Sequence, residues 1–168
     1  MIKKLYPTTY VKSIYEIDIL KLKSEGIKGI IFDIDNTLVP YDEVEPNERI
    51  ILFFQKLRQN DFKITLVSNN TQDRVVRFNE KLKVFALHDA HKPLTRNFKK
   101  ALTLMECKKE EAVIVGDQIF TDVYGGNMTG IRTILVQPVS DKDEWITKIK
   151  RGLERKIIEC YENSIKKR

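Results

Sequence analysis

The chain has 168 residues, of which 42% are apolar and 32% charged, and its formal net charge is +6. That length closes one hydrophobic core without the staples needed below about 70–80 residues, and the composition excludes a disordered chain or a fibre. No run approaches the roughly 18–20 apolar residues of a membrane span, and Cys107 and Cys160, with no CxxC or metal spacing, point to a reducing compartment rather than a disulfide framework or zinc ribbon.

In chain order, Met1–Pro7 carries charge without an apolar stretch behind it, so no secretory signal is expected. Residues 1–27 read as an N-terminal helical segment. Lys28–Phe32 is a buried strand that runs into Asp33. Asn47–Asn60 follows Pro46 and carries Ile50, Ile51, Phe53, Phe54 and Leu57 on a helical face. Lys63–Val67 is a second strand, and Thr71–Leu82 a polar helix that buries Val75, Val76 and Phe78. Val84–Leu87 is a short strand, Thr95–Met105 a helix and Ala112–Val115 a fourth strand. Phe120–Asn127 is a helical turn ended by Gly130, Arg132–Val136 a fifth strand, and residues 144–165 an amphipathic helix. No repeat or Gly/Ser linker divides the chain, so 1–168 reads as one domain. Strands alternating with helices predict an α/β sandwich around a mostly parallel sheet.

In such sheets ligands sit beyond the carboxyl ends of the strands, and polar residues collect there. The first strand ends in Asp33-Ile34-Asp35-Asn36-Thr37, and the second in Ser68-Asn69-Asn70. His91-Lys92-Pro93 follows the third, and Gly116-Asp117-Gln118-Ile119-Phe120-Thr121-Asp122 the fourth. One edge would then hold four carboxylates, a hydroxyl and an ammonium. Crowded carboxylates repel and call for a cation, and oxygen ligands without thiolate favour Mg²⁺. Mg²⁺ keeps positions for water and a phosphate oxygen, and Lys92 and Ser68 would meet other phosphate oxygens. A carboxylate nucleophile can form an aspartyl-phosphate. Taken singly, these signals have plainer readings: Asp33 or Asp35 as a turn residue, Ser68-Asn69-Asn70 or Asp122 as helix caps, Lys92 as a surface lysine. Their joint occurrence in order is the specific feature.

DxDNT, SNN, a lone K-P and GDQxxTD in that order resemble the four motifs of the haloacid dehalogenase (HAD) phosphatase superfamily. GIKGIIFDIDNTLVPYD, SNNTQDRV, AHKP and VGDQIFTDVYGGNMTG resemble the bacterial YqeG-type phosphatases of HAD subfamily IIIA, which are related to the mitochondrial phosphatidylglycerophosphate phosphatases. The likeness runs from about Leu5 to Pro138. It implies a HAD-like Rossmannoid three-layer sandwich. It also implies that Asp33 is nucleophile and Mg²⁺ ligand. Asp35 would be the proton donor and acceptor, its backbone carbonyl touching Mg²⁺. Ser68, with the Asn69 backbone N–H nearby, would bind phosphate; Lys92 would neutralise Asp33 and phosphate; Asp117 and Asp122 would complete the metal site, with Thr37 holding the loop. His88 and His91 are read as bystanders.

Thirty-three positions separate Asp35 from Ser68, and 24 separate Ser68 from Lys92. Both intervals are filled by a helix and a strand, leaving no room for a cap domain of about 50 residues. A capless, open site suits a large or surface-bound phosphate ester. The basic charge lies at the ends: residues 1–28 carry a net +3 and 148–168 a net +5, leaving −2 between them. That distribution argues against a nucleic-acid groove and leaves an anionic membrane open as a partner. The last helix, with Ile146, Ile149, Leu153, Ile157, Tyr161 and Ile165 in one stripe and Lys148, Lys150, Arg151, Arg155 and Lys156 elsewhere, either packs on the sheet or docks on lipid. The resulting expectation is a cytoplasmic, Mg²⁺-dependent phosphomonoesterase. Through the resemblance, its substrate is a lipid headgroup, phosphatidylglycerophosphate, met at the inner membrane face. A soluble or protein-bound phosphomonoester is the second substrate reading. A receiver-like phosphoacceptor is disfavoured because its acceptor Asp sits on a later strand, and a scaffold with a vestigial site because every key group is present.

Overall fold

The computed structural model describes residues 2–140 and 145–166. Its centre is a six-stranded sheet in the order β1-β6-β5-β2-β3-β4, in which every pairing is parallel. The strands are β1 (Thr9–Val11), β2 (Gly29–Phe32), β3 (Lys63–Val67), β4 (Phe85–Leu87), β5 (Ala112–Gly116) and β6 (Arg132–Val136). The helices are α1 (Ile19–Ser24), α2 (Glu48–Gln59), α3 (Gln72–Asn79), α4 (Thr95–Met105), α5 (Tyr124–Thr129) and α6 (Trp145–Lys166). The expected sandwich is present, with both intervals after β2 and β3 free of an inserted domain. No helix among the described residues is long and apolar enough to cross a membrane.

The two-residue period of a strand sorts the core into layers. Ile30 and Phe32 face one side, against Ile50, Phe54 and Leu57 of α2 and Val75 and Phe78 of α3. Ile31, Val67 and Ile114 face the other, against Phe98, Ala101 and Met105 of α4. Strands covered on both faces read as continuous apolar runs, as GIIF and AVIVG do. Asn47 caps α2 by accepting from the Ile50 N–H at 3.0 Å, and the expected boundaries of α2 hold within a residue.

The chain builds β2, β3 and β4 outward in one direction, then crosses back to add β5 and β6 on the other side of β2. The order therefore reverses between β2 and β5, and a crevice opens beyond their carboxyl ends. Asp33 follows β2 and Asp117 follows β5, so the topology itself brings those two carboxylates together.

Three expectations need correction. The N-terminal segment is only partly helical: short 3₁₀ turns and α1 flank a strand, β1, that extends the sheet beside β6. Val76 is exposed, because the buried face of α3 holds Val75 and Phe78. On α6, Leu153 and Ile165 face outward, while Glu154 and Tyr161 are buried and Ile157 and Ile158 partly so. The docking face of α6 is therefore rotated from the expected stripe, and Arg151 lies on it. Ile146, Ile149, Lys148 and Lys150 have side chains outside the described residues.

Phe54 is 1% exposed and packs on the Phe32 ring at 5.2 Å. Truncation to alanine should destabilise the fold by about 3–5 kcal/mol in urea unfolding. Phe85→Ala on the exposed edge strand β4 should stay within about 0.5 kcal/mol of wild type.

Candidate active site

Asp33, Ser68 and Asp117 directly follow β2, β3 and β5, whereas Asp35 and Lys92 lie in the loops after β2 and β4 and Asp122 in the helical turn after β5. Lys92 is the hub. Its ammonium donates to Asp33 Oδ1 at 2.6 Å and to Asp122 Oδ1 at 2.6 Å, and its side chain is 3% exposed. Burial alone would lower the Lys92 pKa, but the charges of Asp122 and Asp33 outweigh it and raise it, so the lysine stays charged. Asn69 pins the lysine from behind: its side-chain carbonyl accepts from the Lys92 N–H at 2.6 Å, and its amide donates to the Lys92 carbonyl at 3.4 Å.

Asp33, Asp117 and Asp122 are all buried, and each offers one oxygen within 4.8 Å of the others. Thr37 ties two of them, its hydroxyl lying 2.8 Å from Asp33 Oδ2 and 3.1 Å from Asp117 Oδ1. Asp122 reaches the group because β5 ends in Gly116, where a Cβ would overlap the Asp122 side chain. A π-helical turn, Ile119–Val123, carries it there. Burial pushes the Asp117 pKa up to about 8, aided by the Asp33 charge and opposed by Arg151. Burial likewise raises Asp122 to about 6, against the pull of Lys92. Three clustered carboxylate oxygens without nitrogen or sulfur fit a hard divalent cation, which would displace the protons that burial favours on Asp117 and Asp122.

Asp35 stands apart from the triad. Its carboxylate accepts from Arg74 at 3.1 Å and from Asn70 at 3.2 Å, with the Ser68 hydroxyl at 3.5 Å. Burial and the nearby Asp33 charge raise its pKa, while Arg74 and Asn70 oppose the shift. Arg74 also donates to the Val44 carbonyl at 2.8 Å, tying the loop after β2 to α3. Ser68 is buried, and its oxygen accepts from the Asn70 N–H at 3.0 Å. The nearby cap of α3 is Thr71, not the Ser68-Asn69-Asn70 run.

All seven residues expected at the site thus converge: Asp33, Asp35, Ser68, Asn69, Lys92 and Asp122 line one cavity of about 400 Å³, and Asp117, which lines a neighbouring cavity, joins them through Thr37 and the carboxylate cluster. The Asp35 side chain is not among the clustered carboxylates. His88 and His91 are exposed, and His88 pairs with Asp89 at 2.7 Å. Sequence reasoning missed Arg74, Arg151 and Glu154, and quoted Asn70 in its motif without a role, whereas its amide meets Asp35. Arg151 of α6 ion-pairs with Asp117 Oδ2 and donates to the Asp117 carbonyl at 2.8 Å.

A parallel sheet with clustered acids at a topological switch point defines an α/β protein with a ligand site beyond its strand ends, and comparison with known proteins narrows it. The model of the haloacid dehalogenase-like hydrolase family matches residues 40–136. The chain is 44% identical to "Probable phosphatase YqeG" of Bacillus subtilis over 159 residues, 94% of this chain and 92% of that protein. It is 30% identical to phosphatidylglycerophosphate phosphatase 1, chloroplastic/mitochondrial, of Arabidopsis thaliana, over 92% of this chain but 47% of that longer protein. Among solved structures, the cobalt-bound deoxy-D-mannose-octulosonate 8-phosphate phosphatase of Haemophilus influenzae superposes with a TM-score of 0.54. It is 14% identical and covers 83% of this chain and 91% of its own, a likeness of fold. The chain belongs to the haloacid dehalogenase-like hydrolases. Within that family it is an enzyme of the phosphatase type.

The raised carboxylates set a pH dependence. Asp35, Asp117, Asp122 and Glu154 all hold protons more firmly in the folded chain than in the unfolded one. Unfolding therefore releases protons, and stability falls as pH rises. The contribution is fully present below the ordinary carboxylate value near 4 and is lost as pH passes about 6 for Asp122 and about 8 for Asp117. Chelator-treated protein should melt at a higher temperature at pH 5 than at pH 8 in calorimetry. A higher Tm at pH 8 would contradict these assignments.

Proposed function

We propose that this phosphatase hydrolyses phosphomonoesters through an aspartyl-phosphate on Asp33, with Mg²⁺ held by Asp33, Asp117 and Asp122. The observation that carries this reading is the contrast between two carboxylates only two residues apart. Asp33 is held between Lys92 and Thr37 among the clustered acids, while Asp35 is set aside with a raised pKa. One can attack as an anion while the other supplies a proton.

In the first step an Asp33 oxygen attacks phosphorus, and the bond from phosphorus to the leaving oxygen breaks. Asp35 gives its proton to that oxygen, releasing an alcohol. In the second step Asp35 takes a proton from a water that attacks the same phosphorus. The aspartyl bond breaks, Asp33 is regenerated as a carboxylate, and inorganic phosphate leaves. Lys92 neutralises Asp33 and meets a phosphate oxygen, and Ser68 with the Asn69 backbone N–H receives another. Bound Mg²⁺ would neutralise charge on the transferring phosphoryl group. Asn69 has a further part, since its side chain fixes the backbone of Lys92.

For the substrate we infer phosphatidylglycerophosphate, giving phosphatidylglycerol. The supporting facts are the alignment with the Arabidopsis enzyme over nearly the whole chain and the absence of a domain inserted after β2 or β3. A site without a cap does not need to enclose its substrate, so a headgroup standing out of a bilayer can reach it from the cytoplasmic face.

Phosphate release tests both levels. With Mg²⁺, turnover should be confined to micellar phosphatidylglycerophosphate and fall at least about 10³-fold in Asp33→Asn. Equal turnover across a panel of soluble phosphomonoesters would remove the lipid assignment and favour a soluble or protein-bound substrate. Turnover surviving in Asp33→Asn would remove the aspartyl-phosphate mechanism.

A further inference from the structure

The last helix does more than cover the sheet. Arg151 is half-buried on the face of α6 that meets the site, and its guanidinium spans two groups of one residue, the carboxylate and the backbone carbonyl of Asp117. A planar fork suits such two-point contact, which a lysine cannot reproduce. The Asp117 side chain is sealed from water, so its orientation is set by these partners. With Oδ2 on Arg151 and Oδ1 beside Thr37, Asp117 is turned so that one oxygen faces Asp33 and Asp122.

Glu154, one helical turn on, completes the arrangement. It is 4% exposed, lies 3.4 Å from Arg151, and accepts from the N–H groups of Ile119 at 2.8 Å and Phe120 at 3.4 Å. Those two N–H groups open the π-helical turn that carries Asp122. The Arg151–Glu154 pair therefore grips both stretches of backbone that deliver Asp117 and Asp122. Apolar packing alone does not explain this end of the helix: Leu153 faces outward, and a cavity of about 650 Å³ lies beside Arg151 and Glu154, over Leu135 and Pro138.

We propose that Arg151 is a positioning residue for the cation site and that Glu154 supports it, so that docking of α6 and divalent-cation binding are thermodynamically linked. The proposal rests on the cation site described under Proposed function. Residues that orient a metal ligand typically change metal affinity by about 10–100-fold when removed. Linkage is reciprocal, so the bound cation also holds α6 in place.

The test uses the full chain and Mg²⁺ alone, with no substrate. Titration calorimetry should show Mg²⁺ affinity reduced about 10–100-fold in Arg151→Met, less in Arg151→Lys, and measurably in Glu154→Gln. Hydrogen exchange of the α6 amides from Gly152 to Tyr161 should slow when Mg²⁺ is added to wild type, and should not respond in Asp117→Asn. Should Arg151→Met fail to fold, the lysine variant and the wild-type exchange measurement decide. Wild-type affinity in the folded Arg151 variants, tighter binding in them, or α6 exchange indifferent to Mg²⁺ would each overturn the proposal. Failure of wild type to bind Mg²⁺ at all would instead overturn the cation reading beneath it.

Discussion

The constraint on which the rest depends is the burial of three carboxylates within 4.8 Å of one another at the mouth of a parallel sheet. At an effective dielectric near 20, two unit negative charges at that distance repel by roughly 3–4 kcal/mol, before any cost of desolvation. Folding must answer that repulsion with positive charge, protons or a cation. Lys92 supplies one charge between Asp33 and Asp122, and Arg151 a second on Asp117. With all three acids ionised, two cations would leave an excess of negative charge, which the raised pKa values of Asp117 and Asp122 relieve by keeping protons and which a divalent ion would relieve in their place.

Much of this was legible because the chemistry sits where strand ends must lie. A run such as GIIF followed by Asp-x-Asp fixes both the strand and the place where its polar residues emerge, and the order of the four motifs then fixes the edge they share. The switch between β2 and β5 follows from topology that a sequence only implies, yet the strand-end rule needs no knowledge of strand order. Gly116 is similar: its sequence signal is a glycine before an acid, and its reason is that Asp122 folds back over that position.

What stayed hidden has physical causes. The three-residue strand β1 is too short to show a period, and its pairing with β6 is a long-range contact. The α6 helix carries apolar residues on more than one face, so Leu153 and Ile165 compete with Ile157, Ile158 and Tyr161 for the core. Glu154 is buried and Arg151 half-buried on the packed face, and such an R-x-x-E pair is indistinguishable in sequence from a solvated one. Arg74 was equally silent. It reads as an exposed helical cation until α3 is seen to place its guanidinium, with side chain 11% exposed, against Asp35.

The same comparison explains how two aspartates so close in sequence can be given different roles. In an extended segment, residues two apart point to the same side, so Asp33 and Asp35 both enter the cavity. The chain then turns sharply: Asn36 takes a left-handed conformation with φ of 63°, and its N–H donates to the Val39 carbonyl at 2.7 Å. That turn brings Thr37 back onto Asp33 and Asp117. Asp35 is left to meet α3, where Arg74 and Asn70 receive it. The carboxylate proposed to attack is thereby held by Lys92 and Thr37, and the one proposed to move protons has a pKa raised by burial and the Asp33 charge against Arg74 and Asn70. Local turn geometry, rather than distance along the chain, separates the proposed nucleophile from the proposed acid.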